Sequence, residues 1–284
     1  MIDSHIHGVN PQLQDDRTFP GFLTSPRQGA EVLKTEMLRA GITQALAMGS
    51  SQISEDDPLG INGVLELTDH LPSLHVVGIA DPRRISSSHM RQVERVLETG
   101  RVKALKAYLG YLPYGPDHLN YISYIHLAAK YHLPFIMHTG RSHSSRAKLA
   151  YTHPVAIDEV ATDFPMVNFV MAHFGQPWFD TAAEVIRKNN NVWADLSGLF
   201  SNKEVALMHK APDDFLETWA ERIQFAYQMA EKPERFLFGS NWPHISIKLY
   251  RETLEKLIPK EHQKLFFAEN ARVLFKIYED IPVP

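Results

Sequence analysis

Apolar residues along this chain fall in short blocks separated by longer stretches where they recur about every three to four positions. Eight blocks read as β-strands, at roughly residues 1–7, 42–50, 74–82, 102–109, 133–140, 168–175, 191–198 and 235–242. The stretches between them read as amphipathic helices. Ser25 to Ala40 carries apolar residues at Ala30, Val32, Leu33, Met37 and Leu38 and stops at Gly41. Ser86 to Thr99 carries Met90, Val93, Val96 and Leu97 at helical spacing before Gly100. His118 to His132, Val155 to Thr162, Phe179 to Lys188, Phe215 to Ala230 and Ile247 to Leu257 follow, and a last helix spans about Glu261 to Tyr278. Residues 141–153 and 199–214 are left as long strand-to-helix connections. Alternation of this kind predicts parallel βαβ units joined by right-handed crossovers. Eight such units in 284 residues predict one (β/α)₈ barrel domain over 1–284 with an extra C-terminal helix.

Composition narrows the function. The chain is 44% hydrophobic and 22% charged with a net charge of −4, so no basic surplus exists to bind a nucleic-acid backbone. No apolar run approaches membrane-spanning length, and the N-terminus shows no basic segment leading into an apolar core, so no signal peptide is expected. Cysteine is absent, which fits a cytoplasmic protein. It also means that any metal must be held by His and carboxylate, ligands that suit Zn, Mn, Fe or Co.

The candidate chemistry lies at strand ends. His5 and His7 are two apart on the first strand and so point to the same side. His138 ends the fifth strand and His173 the sixth. Three strand ends on one rim predict a divalent metal centre, at the face where barrel enzymes place their chemistry. Asp3 shares the inward parity of His5 and His7. Asn241 ends strand eight, where an Asp would serve as ligand and general base. Asn keeps the shape and one weak carbonyl donor but accepts no proton near neutral pH. Three readings follow: an engineered substitution, a natural variant using another base, or a natural non-catalytic binder. Lys106, at the end of strand four, either binds a substrate carboxylate, bridges two metals after carbamylation, or snorkels at the rim. Asp195 on strand seven either orients a ligand His from behind or is simply hydrogen-bonded structure. The cluster Arg141, His143, Arg146, Lys148 and Tyr151 either clamps an anionic substrate or is a solvated loop. Tyr108, Trp178, Trp242 and His244 either line a pocket or are plain packing at the barrel rim.

The stretches Asp3-Ser4-His5-Ile6-His7, His138-Thr139-Gly140, Ala172-His173-Phe174-Gly175, Ala194-Asp195-Leu196-Ser197-Gly198, Phe238-Gly239-Ser240 and Glu269-Asn270-Ala271 resemble the amidohydrolase superfamily, in particular the group that contains aminocarboxymuconate-semialdehyde decarboxylase. The resemblance implies a metal, zinc foremost, held by His5, His7, His138 and the position of Asn241. It implies that His173 is either a second ligand or a catalytic acid–base. Asn241 departs from the family's Asp. The implied activity is hydrolysis of a small anionic amide or lactone by metal-activated water. The alternatives are decarboxylation of an unsaturated or aromatic carboxylate, and an inactive binding protein. Lys106, Arg141, Tyr108 and Trp242 are the expected substrate contacts, and a homodimer is a further expectation from the family.

Overall fold

A computed structural model describes residues 1–11 and 25–278. Its core is eight strands in sequence order, every pairing parallel. They are β1 (Ile2–Ile6), β2 (Gln44–Met48), β3 (Leu74–Ile79), β4 (Val102–Ala107), β5 (Phe135–His138), β6 (Phe169–Ala172), β7 (Val192–Asp195) and β8 (Phe236–Leu237). The sheet curls round until β8 and the chain after it meet β1. Ser4 N–H donates to Phe238 O at 2.8 Å, Asn241 N–H to His5 O at 2.9 Å and His7 N–H to Trp242 O at 2.7 Å. The eighth strand therefore keeps bonding to its neighbour beyond its short regular part, which brings Asn241 beside His5.

The helices are α1 (Pro26–Ala40), α2 (Asn62–His70), α3 (Ser87–Glu98), α4 (Leu119–Tyr131), α5 (Leu149–Thr152), α6 (Val155–Asp163), α7 (Phe179–Lys188), α8 (Asn202–Lys210), α9 (Asp214–Met229), α10 (Ile247–Leu257) and α11 (Asn270–Phe275). Strands covered on both faces are apolar almost throughout, and here they split into two packed layers. Leu46, Met48, Val77, Ala104, Ile136, Val170, Trp193 and Leu237 form an inner cluster with Ala271, Leu274 and Phe275 of α11. The alternate residues, among them Ala45, Val76, Leu105, Phe135, Phe169 and Phe236, pack outward against the helices. The C-terminal helix thus plugs one end of the barrel and leaves the other for the site.

The structure departs from the sequence reading in four places. An unexpected helix, α2, lies between β2 and β3. Its start carries Asn62 and Gly63, poor helix formers, but Asp57 accepts from Ile61 N–H at 2.7 Å and Asn62 N–H at 3.0 Å and holds the first turn. The connection 199–214 contains α8, announced by a Ser201–Glu204 capping box that the reading overlooked. The connection 141–153 contains the short α5. The C-terminal segment is not one helix: a 3-10 turn (Lys260–His262) and a π turn (Leu265–Glu269) precede α11. Its docking onto β8 explains the break, because Asn270 Nδ2 donates to Phe236 O at 2.7 Å and Phe238 N–H to Phe266 O at 3.1 Å. No helix among the described residues is long and apolar enough to cross a membrane.

Candidate metal centre in the barrel mouth

Parity alone does not deliver His5 and His7 to the barrel interior. Ile2 belongs to the inner cluster and Ile6 to the outer one, which strict alternation forbids. The pairing of β1 with β2 shifts register between Asp3 and Ile6. A bulge of this kind re-aims side chains, and His5 and His7 end up lining a cavity of about 340 Å³ together with His138, His173 and Asn241. Asp3 stays behind this wall. Its Oδ1 accepts from His5 N–H at 3.1 Å and Ser240 N–H at 3.0 Å, tying β1 to the end of β8. Burial pushes the Asp3 carboxyl up to about 7 in spite of those bonds.

The imidazoles are close. Ring centroids are 5.3 Å apart for His5 and His7, 5.0 Å for His5 and His173, and 5.0 Å for His138 and His173. His173 lies just past β6, at the start of a tight turn with φ +65°. Asn241 also has a left-handed backbone, φ +64°, a conformation that Asn tolerates better than most residues. Gly198 sits between them. A Cβ there would lie 3.2 Å from both Asn241 Nδ2 and His173 Nδ1, so the close approach requires glycine.

Hydrogen bonds fix which ring nitrogens carry lone pairs. Asp195 Oδ2 lies 2.9 Å from His5 Nδ1. A carboxylate only accepts, so Nδ1 holds the proton and Nε2 is the lone pair. That Nε2 is buried without a hydrogen-bond partner among the described residues. His173 Nδ1 lies 2.9 Å from the Ser197 carbonyl, which likewise leaves its Nε2 as the lone pair. His138 Nε2 donates to Arg141 O at 3.0 Å, so its lone pair is Nδ1. His7 Nδ1 and Asn241 Oδ1 are likewise buried without a hydrogen-bond partner among the described residues. Burial holds His5, His7 and His138 below the ordinary imidazole range, and His173 falls to about 3. The rings are neutral bases near pH 7. Neutral imidazoles with buried lone pairs and an adjacent amide oxygen form a donor set that fits a divalent metal.

His5, His173 and Asp195 have donor atoms within 4.8 Å of one another. Asp195 is nevertheless already saturated. Besides His5, it receives Ser197 N–H at 3.0 Å, Ser197 O–H at 2.5 Å and His173 N–H at 3.1 Å. Burial alone would raise its pKa, but the His5 ring and these bonds hold it well below the usual carboxylate range. Its geometry is that of a group orienting His5, not of a ligand in its own right.

Lys106, inside β4, is fully buried, and its Nζ has no hydrogen-bond partner among the described residues. The amine lies 5.7 Å from the centroid of the Tyr108 ring, and burial lowers its pKa to about 8. Both residues line the cavity, as do Arg141 and His143. The Arg141 guanidinium stacks over Trp219 at 5.0 Å. The rest of the basic cluster does not reach the cavity: Arg146 and Lys148 are exposed, and Lys148 lies over Tyr151. Trp242 is also elsewhere. It is buried in the outer core because its backbone continues the β8–β1 pairing and its ring turns away from the mouth. Trp178 packs against His153, its ring tilted by 56° to the imidazole, outside the cavity. His244 does line the cavity, with its ring 6.0 Å from that of His7. Tyr111, Gln176 and Glu204 line it too and went unread. Only Glu204 carried a local signal, the capping box. Tyr111 reaches the site through packing on His138 at 5.0 Å.

Several solved structures share this barrel. A probable 2-pyrone-4,6-dicarboxylic acid hydrolase from Acinetobacter baumannii with citric acid bound is 13% identical, with TM-score 0.67 over 97% of this chain and 99% of that one. The 2,6-dihydroxybenzoate decarboxylase from Rhizobium is 15% identical, with TM-score 0.66 over 97% and 98%. An amidohydrolase from Burkholderia multivorans with bound zinc is 16% identical, with TM-score 0.65 over 98% and 99%. At these identities the likeness is one of fold. None of the curated protein sequences matches the chain. The family model described as amidohydrolase matches residues 2–277, nearly the whole chain. The chain belongs to the amidohydrolase family.

Proposed function

We propose that this amidohydrolase-family enzyme is a metal-dependent hydrolase of a small anionic amide or lactone. The metal is a single divalent ion, zinc foremost and Mn, Fe or Co as alternatives, held by His5 Nε2, His7 and His138 Nδ1, with His173 and Asn241 Oδ1 at the edge of the site. The observation that carries the reading is the convergence on one cavity of buried lone pairs that have no partner among the described residues. Left without a cation, buried acceptors of this kind cost about 1–3 kcal/mol each. A bound divalent ion supplies Lewis-acid polarisation of a carbonyl and acidification of water.

The chain's own groups do the rest. Asp195 keeps the His5 proton on Nδ1. His173, with its own Nδ1 proton tied to Ser197, presents Nε2 to accept a hydrogen bond from attacking water. With its pKa at about 3, it takes that proton only from water already acidified by a bound cation, and then returns it readily to the leaving group. Asn241 cannot take that proton, so the base role falls to His173. Lys106, with Tyr108 beside it, receives a substrate carboxylate at the cavity floor, and Arg141 stands at the rim.

Decarboxylation is the second reading. It is favoured by Asn241, which removes a base that hydrolysis would use while leaving Lys106 to hold a carboxylate. Metal analysis of the purified protein followed by two screens separates these. About one tightly bound metal per chain and turnover of lactones or amides are expected. Carbon dioxide release from aromatic acids without hydrolysis would replace the first reading by the second. Metal without either turnover would leave a binding protein. No metal after reconstitution would overturn all metal-dependent readings.

A further inference from the structure

Glu204 is the one carboxylate among the described residues that line the histidine cavity. It takes no part in the metal reading. It sits in the first turn of α8, where a reciprocal cap fixes it: Oε2 accepts Ser201 N–H at 2.6 Å, and Ser201 Oγ accepts Glu204 N–H at 3.3 Å. Oε1 is left without a protein partner among the described residues. The turn that carries it is pinned to the loop after β8. Asn202 Nδ2 donates to His244 O at 2.9 Å, and Asn202 Oδ1 accepts from Ser246 N–H at 2.9 Å. Glu204 is therefore a preorganised acceptor, half-buried at the rim well beyond the end of β7. Lys106 lies inside β4, three strands away around the barrel, fully buried and without a hydrogen-bond partner among the described residues. The cavity thus has a cation at its floor and an anion at its rim. Arg141 also lines it, but its guanidinium is drawn to the Trp219 face on α9.

We propose that Glu204 sets specificity: the cavity takes a carboxylate whose far end carries an ammonium or hydroxyl donor, and disfavours a second carboxylate at that end. The proposal rests on the reading that Lys106 receives the substrate's carboxylate. Rim discrimination of this sort combines a charge-assisted hydrogen bond to the favoured ligand with like-charge repulsion of the other.

The test is calorimetric binding of 4-(aminomethyl)benzoate, 4-(hydroxymethyl)benzoate and terephthalate to the full chain. These probes share ring and carboxylate and differ at the far end. The wild type is expected to bind the aminomethyl acid at least about tenfold tighter than terephthalate. In Glu204→Gln, whose amide oxygen preserves the cap, that ratio should collapse toward unity. In Lys106→Met all three ligands should weaken by a similar factor with the ratio kept. An unchanged ratio in Glu204→Gln overturns the proposal. So does a wild-type preference for terephthalate, which would give the rim to Arg141, or failure of the aminomethyl acid to bind at all. Affinities untouched by Lys106→Met would instead overturn the reading of the floor, separately from the rim.

Discussion

Replacing Asp195 by Asn isolates what orients the site. The carboxylate accepts from four donors: His5 Nδ1, His173 N–H, Ser197 N–H and Ser197 O–H. Asparagine can accept on one oxygen only, so its NH₂ group faces a former donor. If that donor is His5, the ring must move its proton to Nε2, the atom that would otherwise bind metal. Exchange of charge-assisted for neutral bonds in a buried network costs about 2–4 kcal/mol of stability. Loss of an orienting carboxylate costs about 10–100-fold in metal affinity. Both are measurable without a substrate. At a zinc concentration about 100 times the wild-type Kd, binding stabilises the fold by about 2.7 kcal/mol. For 284 residues at about 2.1 cal/mol/K per residue the unfolding entropy is about 0.6 kcal/mol/K, so zinc should raise the wild-type Tm by about 4–5 °C. In Asp195→Asn at the same zinc concentration, a 100-fold weaker Kd leaves about 0.4 kcal/mol, a rise of under about 1 °C. Calorimetric melts with zinc and with a chelator, alongside a zinc competition titration, read both numbers. An Asp195→Asn protein whose zinc-induced shift equals the wild type's would refute the orienting role. A complete loss of zinc binding would make Asp195 a ligand itself.

Further outcomes follow from the same geometry. The lowered pKa values of His5, His7, His138 and His173 mean that the unfolded chain binds protons near pH 6.5 that the folded chain refuses, so metal-free stability should fall as pH drops below 6.5. Each group contributes up to about 1.4 kcal/mol per pH unit, and urea midpoints from pH 7 to 5 in chelator should show the slope; a flat profile would refute neutral burial of the cluster. Asp3 acts in the opposite sense: its raised pKa gives stability that is present below pH 4 and lost as pH rises through about 7, so Asp3→Asn should steepen the net acid slope in the same titration. Gly198→Ala forces a side chain into a left-handed backbone and against Asn241 and His173, and should cost at least about 1–2 kcal/mol, read in a denaturant melt. Asn241→Asp supplies a charged oxygen where an amide now points and should tighten metal binding by about tenfold or more, read in the competition titration.

The sequence by itself determined the architecture. Apolar blocks alternating with amphipathic stretches leave a parallel barrel as the arrangement that buries both faces of each strand, and all eight blocks from β1 to β8 pair in that order. It also placed His5, His7, His138, His173 and Asn241 on one rim, because residues that end parallel strands share a face of the barrel. What it could not supply was anything set by contacts between distant segments. The β1 register shift, the proton on His5 Nδ1, the saturation of Asp195 and the burial of Lys106 depend on partners up to 190 residues away along the chain. Trp242 is an expected substrate contact in the sequence, yet backbone pairing with β1 turns it into the core. Glu204 carried only a capping signal in the sequence. Tertiary packing alone placed that cap over the mouth of the barrel, since a local motif fixes a helix start but not what lies across from it.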